Sequence, residues 1–177
     1  MLSCPRCTAA VLALLLLAFT TGCDTNNPST PTAELEGTYD FTELTFDPTA
    51  TALADADVLA RLVGASTDVE LFGSGQATIR FKLTDQPSQR ADAVFTATTT
   101  TARLVAETET DAQRLATILV PSTLSFSRSG DNQRLTAALT TTVNLQAFDP
   151  QAYAGQTATP GTLRITLQRR SELAGGG

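Results

Sequence analysis

Few side chains in this sequence are able to do chemistry. The 177-residue chain has no histidine, which removes Ser/His/Asp and Cys/His nucleophile systems, imidazole general bases and His-ligated zinc or haem together. Carboxylates, hydroxyls, arginines, three cysteines and one lysine, Lys82, remain. Cys4 and Cys7 form a C-x-x-C, half of a zinc or redox site, with no second pair to complete it. Asp55-Ala-Asp57 has the opening spacing of a calcium loop. Leu59 then occupies the third ligand position and no glycine or closing glutamate follows, so the pair reads as an acidic helix start. Asp47-Pro48 and Asp149-Pro150 are turn dipeptides. Glu107 and Glu109 read as solvated. Lys82 alternates with Arg80 and Thr78 on a wet strand face, where no neighbour would make it a base for a hydroxyl nucleophile. The threonine runs 98–101 and 140–142 suit the outer faces of strands. These residues predict a protein with no catalytic centre, no metal and no cofactor.

Charge narrows the partners. Twelve basic residues against eighteen acidic ones give a net charge of -6, so a phosphate backbone is repelled and nucleic acid is not expected as a partner.

The elements that would place these residues begin with an address. Arg6 is the one charge before an unbroken apolar run from Ala9 to Phe19. The run is shorter than the roughly 20 residues needed to span a bilayer and has the form of a signal-peptide core. The Thr20-Thr21-Gly22-Cys23 that follows resembles the lipobox of bacterial lipoproteins, with threonine at position 20 where that family usually has leucine. The resemblance implies cleavage between Gly22 and Cys23, a thioether-linked diacylglycerol on Cys23 and usually a third, amide-linked chain. Palmitate and similar acyl groups would then hold the protein at a membrane of the bacterial cell envelope without spanning it, since two or three chains bind firmly where one binds marginally. The leaflet stays open. Loss of residues 1–22 removes Cys4, Cys7 and Arg6, leaving 11 basic and 18 acidic residues and a net charge of -7.

Residues 23–35 hold two prolines among small polar side chains and predict a disordered tether between anchor and domain. Residues 36–170 form the domain, and residues 171–177 a glycine-rich tail.

Within the domain, period two dominates. Gln76 to Leu83 alternates without error, with Ala77, Ile79, Phe81 and Leu83 on one face, and Arg134 to Leu145 and Thr162 to Arg169 repeat the pattern. Shorter strands are expected around Val69 and Leu71, from Ala91 to Thr98, from Ala102 to Ala106 and around Leu124 and Phe126. In the first strand, from Gly37 to Phe46, Tyr39 and Phe41 share one parity while Leu44 and Phe46 share the other, which predicts a β-bulge near Thr42 or Glu43. Gly73-Ser-Gly75 and Ser129-Gly-Asp-Asn132 are hairpin turns. Two helices are expected: Asp55 to Val63, burying Leu59, Leu62 and Val63, and a second opened by a capping box at Thr110-Asp-Ala-Gln113 and stopped by Pro121. The fold class is therefore all-β, an antiparallel barrel of about eight strands with one or two short helices, with a β-sandwich as the alternative.

Leu35-Glu-Gly-Thr-Tyr-Asp-Phe41 and Gly161-Thr-Leu-Arg-Ile-Thr-Leu-Gln-Arg169 resemble the first and last strands of lipocalin-like barrels. In that family a Gly-x-Trp on the first strand packs against an arginine from the end of the domain. The resemblance makes Gly37-Thr38-Tyr39 and either Arg164 or Arg169 the counterparts, with tyrosine in place of tryptophan and without the family's Thr-Asp-Tyr turn. It implies a small apolar ligand within the barrel, for which Tyr39, Phe41, Ile79, Phe81, Phe95, Leu104 and Leu139 are the cavity candidates. The inward face is rich in alanine: Ala77, Ala91, Ala93, Ala97, Ala102, Ala106 and Ala137. Small side chains could leave such a cavity, or phenylalanines and the helices could fill the space, giving a structural or protein-interaction lipoprotein with no ligand.

Overall fold

A computed structural model describes residues 30–84 and 86–171. The alternating segments become nine strands: β1 Gly37–Pro48, β2 Ala56–Asp57, β3 Asp68–Leu71, β4 Gln76–Phe81, β5 Gln89–Ala97, β6 Thr101–Ala106, β7 Thr123–Arg128, β8 Arg134–Val143 and β9 Thr159–Arg169. From β3 to β9 each strand pairs antiparallel with the next, and β1 pairs with both β3 and β9, closing the sheet on itself. The result is a closed antiparallel barrel of eight strands with the two-residue β2 added beside the far half of β1. A sandwich would leave β1 and β9 as edges, and here they pair over nine residues from Tyr39–Arg169 to Pro48–Gly161. The register of that pair slips between Phe41 and Glu43, the bulge expected from the parity change.

The barrel has two ends. The 72–75, 98–100 and 129–133 turns lie at one, together with the entry of the chain at Thr30; the longer connections lie at the other. At the entry end the predicted tether stops short. Ala33–Leu35 forms a 3-10 turn with Leu35 fully buried, so the folded unit starts several residues before 36. The part of the tether before Thr30, the signal segment, Gly22, Cys23 and the tail from 172 fall outside the described residues.

The far end is covered by α1 (Glu109–Ala116) and a single turn, α2 (Leu145–Phe148). The cap of α1 is Thr108 rather than Thr110: its Oγ1 accepts from Asp111 N–H at 3.2 Å while its hydroxyl donates to Asp111 Oδ2 at 2.6 Å. The helix ends at Ala116, and Leu119 adopts φ 61 before Pro121 is reached. The helix expected from Asp55 to Val63 does not form. Val58 N–H donates to Leu44 O and Asp57 Oδ1 accepts from Ala60 N–H. The first bond ties the segment to β1 beside strand β2 and the second closes the 3-10 turn at Leu59–Arg61.

Candidate functional site

Three places could carry function: the interior, the closed entry end and the grooves on the outer surface. The interior is lined by the inward set of every strand. Tyr39, Phe81, Phe95, Ile79 and Leu104 are buried there, while Phe41 and Leu139 pack at its margin. The alanines Ala77, Ala91, Ala93 and Ala102 are buried as well. Their small size makes room for α1, which packs over β5 and β6. Arg114 of that helix donates to the Arg90 carbonyl at 3.1 Å, and Leu115 and Ile118 are fully buried. Among the described residues the interior holds an apolar void of about 20 Å³. Of the seven cavity candidates, Phe41, Ile79 and Leu104 line it; Tyr39, Phe81, Phe95 and Leu139 do not. A void of that size is close to one water molecule and far below the few hundred Å³ of a ligand pocket.

The entry end is held by buried polar groups. Tyr39 donates its hydroxyl to the Leu35 carbonyl at 3.0 Å, and its burial pushes the phenol pKa up, against the pull of Arg169 and Arg128. Of the two arginines offered by the resemblance, Arg169 stands in register with Tyr39 and lies over Gly37, where a Cβ would come within 2.9 Å of its Nε. Arg164 is on the outer face, 3.7 Å from Asp47. Arg128 was not singled out by sequence reasoning. It is almost wholly buried and donates to Glu34 Oε2 at 2.8 Å, to Asn132 Oδ1 at 2.7 Å and to the Thr98 carbonyl. Its Nε has no hydrogen-bond partner among the described residues. The signal was available, because Arg128 continues the inward parity of Leu124 and Phe126.

The remaining candidates take structural roles. Asp55 offers its carbonyl to the Tyr153 hydroxyl at 3.2 Å. Asp149 accepts from Gln151 and Ala152 N–H, which holds its carboxyl below the usual range, and pairs with Arg61 at 3.0 Å. Arg61 also stacks on Phe148, 5.0 Å from the ring centre, and helps seal the far end. Thr98 and Thr101 share a 2.8 Å hydroxyl contact across their turn. Among the described residues no group of three or more His, Cys, Asp or Glu is placed to hold a metal ion, and no helix is long and apolar enough to cross a membrane.

The outer surface carries several grooves, among them two at opposite ends of the barrel. One of about 720 Å³ lies at the entry end between Glu36, Leu71, Phe72, Gln133, Arg169 and Arg170. The other, about 250 Å³ and mainly apolar, lies where β7 and β8 diverge. These strands share only the rungs Ser127–Thr136 and Arg128–Leu135 before they separate, and Leu119, Val120 and Pro121 sit against Thr141 to Val143 in the opening.

The chain matches no family model, no curated protein and no solved structure. The residues themselves carry the functional argument.

Proposed function

We propose that the chain is a bacterial envelope lipoprotein, cleaved before Cys23 and held to a membrane by acyl groups on that cysteine, whose barrel is a packed scaffold that works through its outer surface. In this reading the protein is not an enzyme. The observation that carries the scaffold reading is the 20 Å³ interior: helix α1 and the aromatic side chains occupy the space that a ligand would need. Tyr39 beside Arg169 at the closed end supports the lipocalin-like resemblance. The apolar-ligand reading has one specific observation in its favour. Val120 lines both the internal void and the outer groove between β7 and β8, which brings the two spaces to opposite sides of one residue.

Mass spectrometry of organic extracts separates the readings. A packed scaffold gives an extract free of stoichiometric lipid, and a lipid recovered at one equivalent per chain overturns it. Labelling with radioactive palmitate tests the anchor: the wild-type chain incorporates label and Cys23→Ala does not.

A further inference from the structure

Resting on the anchoring reading above, we propose that the barrel end bearing Thr30, Phe72 and Arg169 is held against the bilayer surface, with the helix-covered end turned away from it. The argument starts from the length of chain left free. The segment from Thr30 is pinned: its carbonyl accepts from Glu34 N–H at 3.2 Å and its hydroxyl from Ala33 N–H at 3.3 Å, Leu35 is buried, Arg169 donates to the Glu34 and Glu36 carbonyls, and Arg128 pairs with Glu34. Only residues 23–29 separate an acylated Cys23 from Thr30. Seven residues reach at most about 25 Å in any conformation.

The opposite end lies too far away for the reverse orientation. Strand β1 runs twelve residues along the barrel, which at about 3.3 Å per residue and a tilt near 40° is about 30 Å of height. A barrel with its helices on the lipid would hold Thr30 beyond the reach of its own anchor.

Surface chemistry points the same way. Among the described residues the large hydrophobic side chains left exposed are Phe72 (37 %) and Val94. Phe72 opens the turn between β3 and β4 beside the 720 Å³ groove, and Val94 pairs with Gln76, the first residue of β4 after that turn. Both therefore belong to the lower, entry-side part of the barrel, where an aromatic ring can sit at headgroup depth. Charge is distributed to match. At the entry end Arg134 and Arg169, which stand in no ion pair among the described residues, balance the similarly unpaired Glu36 and Asp131. At the helix end Asp55, Asp57, Glu107 and Glu109 stand in no ion pair among the described residues, and Lys82 is the one basic residue there in the same condition. An anionic lipid surface repels the second end and tolerates the first.

The chain contains no tryptophan, so one introduced tryptophan is a clean reporter in the full acylated protein. Phe72→Trp, Val94→Trp and, at the end of α1, Ala116→Trp are reconstituted in phosphatidylcholine vesicles whose acyl chains carry bromine. The expected result is loss of emission for Phe72→Trp, a smaller loss for Val94→Trp and none for Ala116→Trp. Equal quenching at positions 72 and 116, or stronger quenching at 116, overturns the orientation. Sedimentation with the vesicles is read on the same samples against Cys23→Ala. Failure of the Cys23 protein to sediment overturns the anchor and the orientation with it, whereas sedimentation with equal quenching overturns the orientation alone.

Discussion

Arg128 Nη2 meets Glu34 Oε2 at 2.8 Å, and the pair ties the segment before the first strand to the hairpin between β7 and β8. The guanidinium is 1 % exposed while the carboxylate reaches solvent, so removing the acid is the damaging change. Glu34→Ala leaves a buried cation with its remaining bonds to Thr98 and Asn132 and is expected to cost about 1–3 kcal/mol, with Glu34→Gln costing less. Urea unfolding midpoints check this. An unchanged midpoint for Glu34→Ala would show that the segment is not part of the fold.

Gly161 faces inward on β9, and a Cβ there would lie inside van der Waals contact of the Phe46 ring and the Asp47 carbonyl. Gly161→Ala is expected to destabilise by about 1–3 kcal/mol through overpacking. Because one obstruction is a side chain, Phe46→Leu combined with Gly161→Ala should recover part of the loss, a coupling read from a double-mutant cycle.

The divergence of β7 from β8 sets local stability. Amide exchange should be slow where Ser127 and Arg128 pair with Thr136 and Leu135, and faster at 123–125 on β7, whose far side has no strand neighbour. Exchange as slow at 123–125 as at 127–128 would contradict the open junction.

Both tyrosines of the chain have raised pKa values, with burial the leading cause. A phenol whose folded pKa lies above its ordinary value of 10.0 contributes stability that is fully present below that pH and is lost as pH rises through the folded value. Alkaline titration followed by near-ultraviolet absorbance should therefore show tyrosinate appearing later than in the urea-unfolded chain. Tyr39→Phe should weaken the pH dependence, while its lost bond to the Leu35 carbonyl lowers stability at neutral pH.

The strands were legible because one side of each is wet, as in Ala77, Ile79 and Phe81 against Gln76 and Arg80, and the Thr42 bulge was legible because it inverts that parity. Closure of the barrel was legible as well, because eight strands each with one wet face must wrap a single core, and β1 pairs with β9 as that requires. The spacing of Leu59, Leu62 and Val63 fits a helix as well as a turn, and long-range bonds from Val58 to Leu44 decided for the turn. The cap moved from Thr110 to Thr108 because Thr108 is followed three residues later by Asp111, an equally good capping partner. The fill of the interior was the least readable feature: it depends on α1 entering over the alanines of β5, a tertiary choice that composition leaves open.

Native mass spectrometry of the protein solubilised from membranes tests the central claim most directly. The account predicts one species whose mass is residues 23–177 plus covalent acyl groups on Cys23, unchanged by gas-phase activation. A chain with unmodified Cys23, or a complex that sheds a lipid on activation, would contradict it.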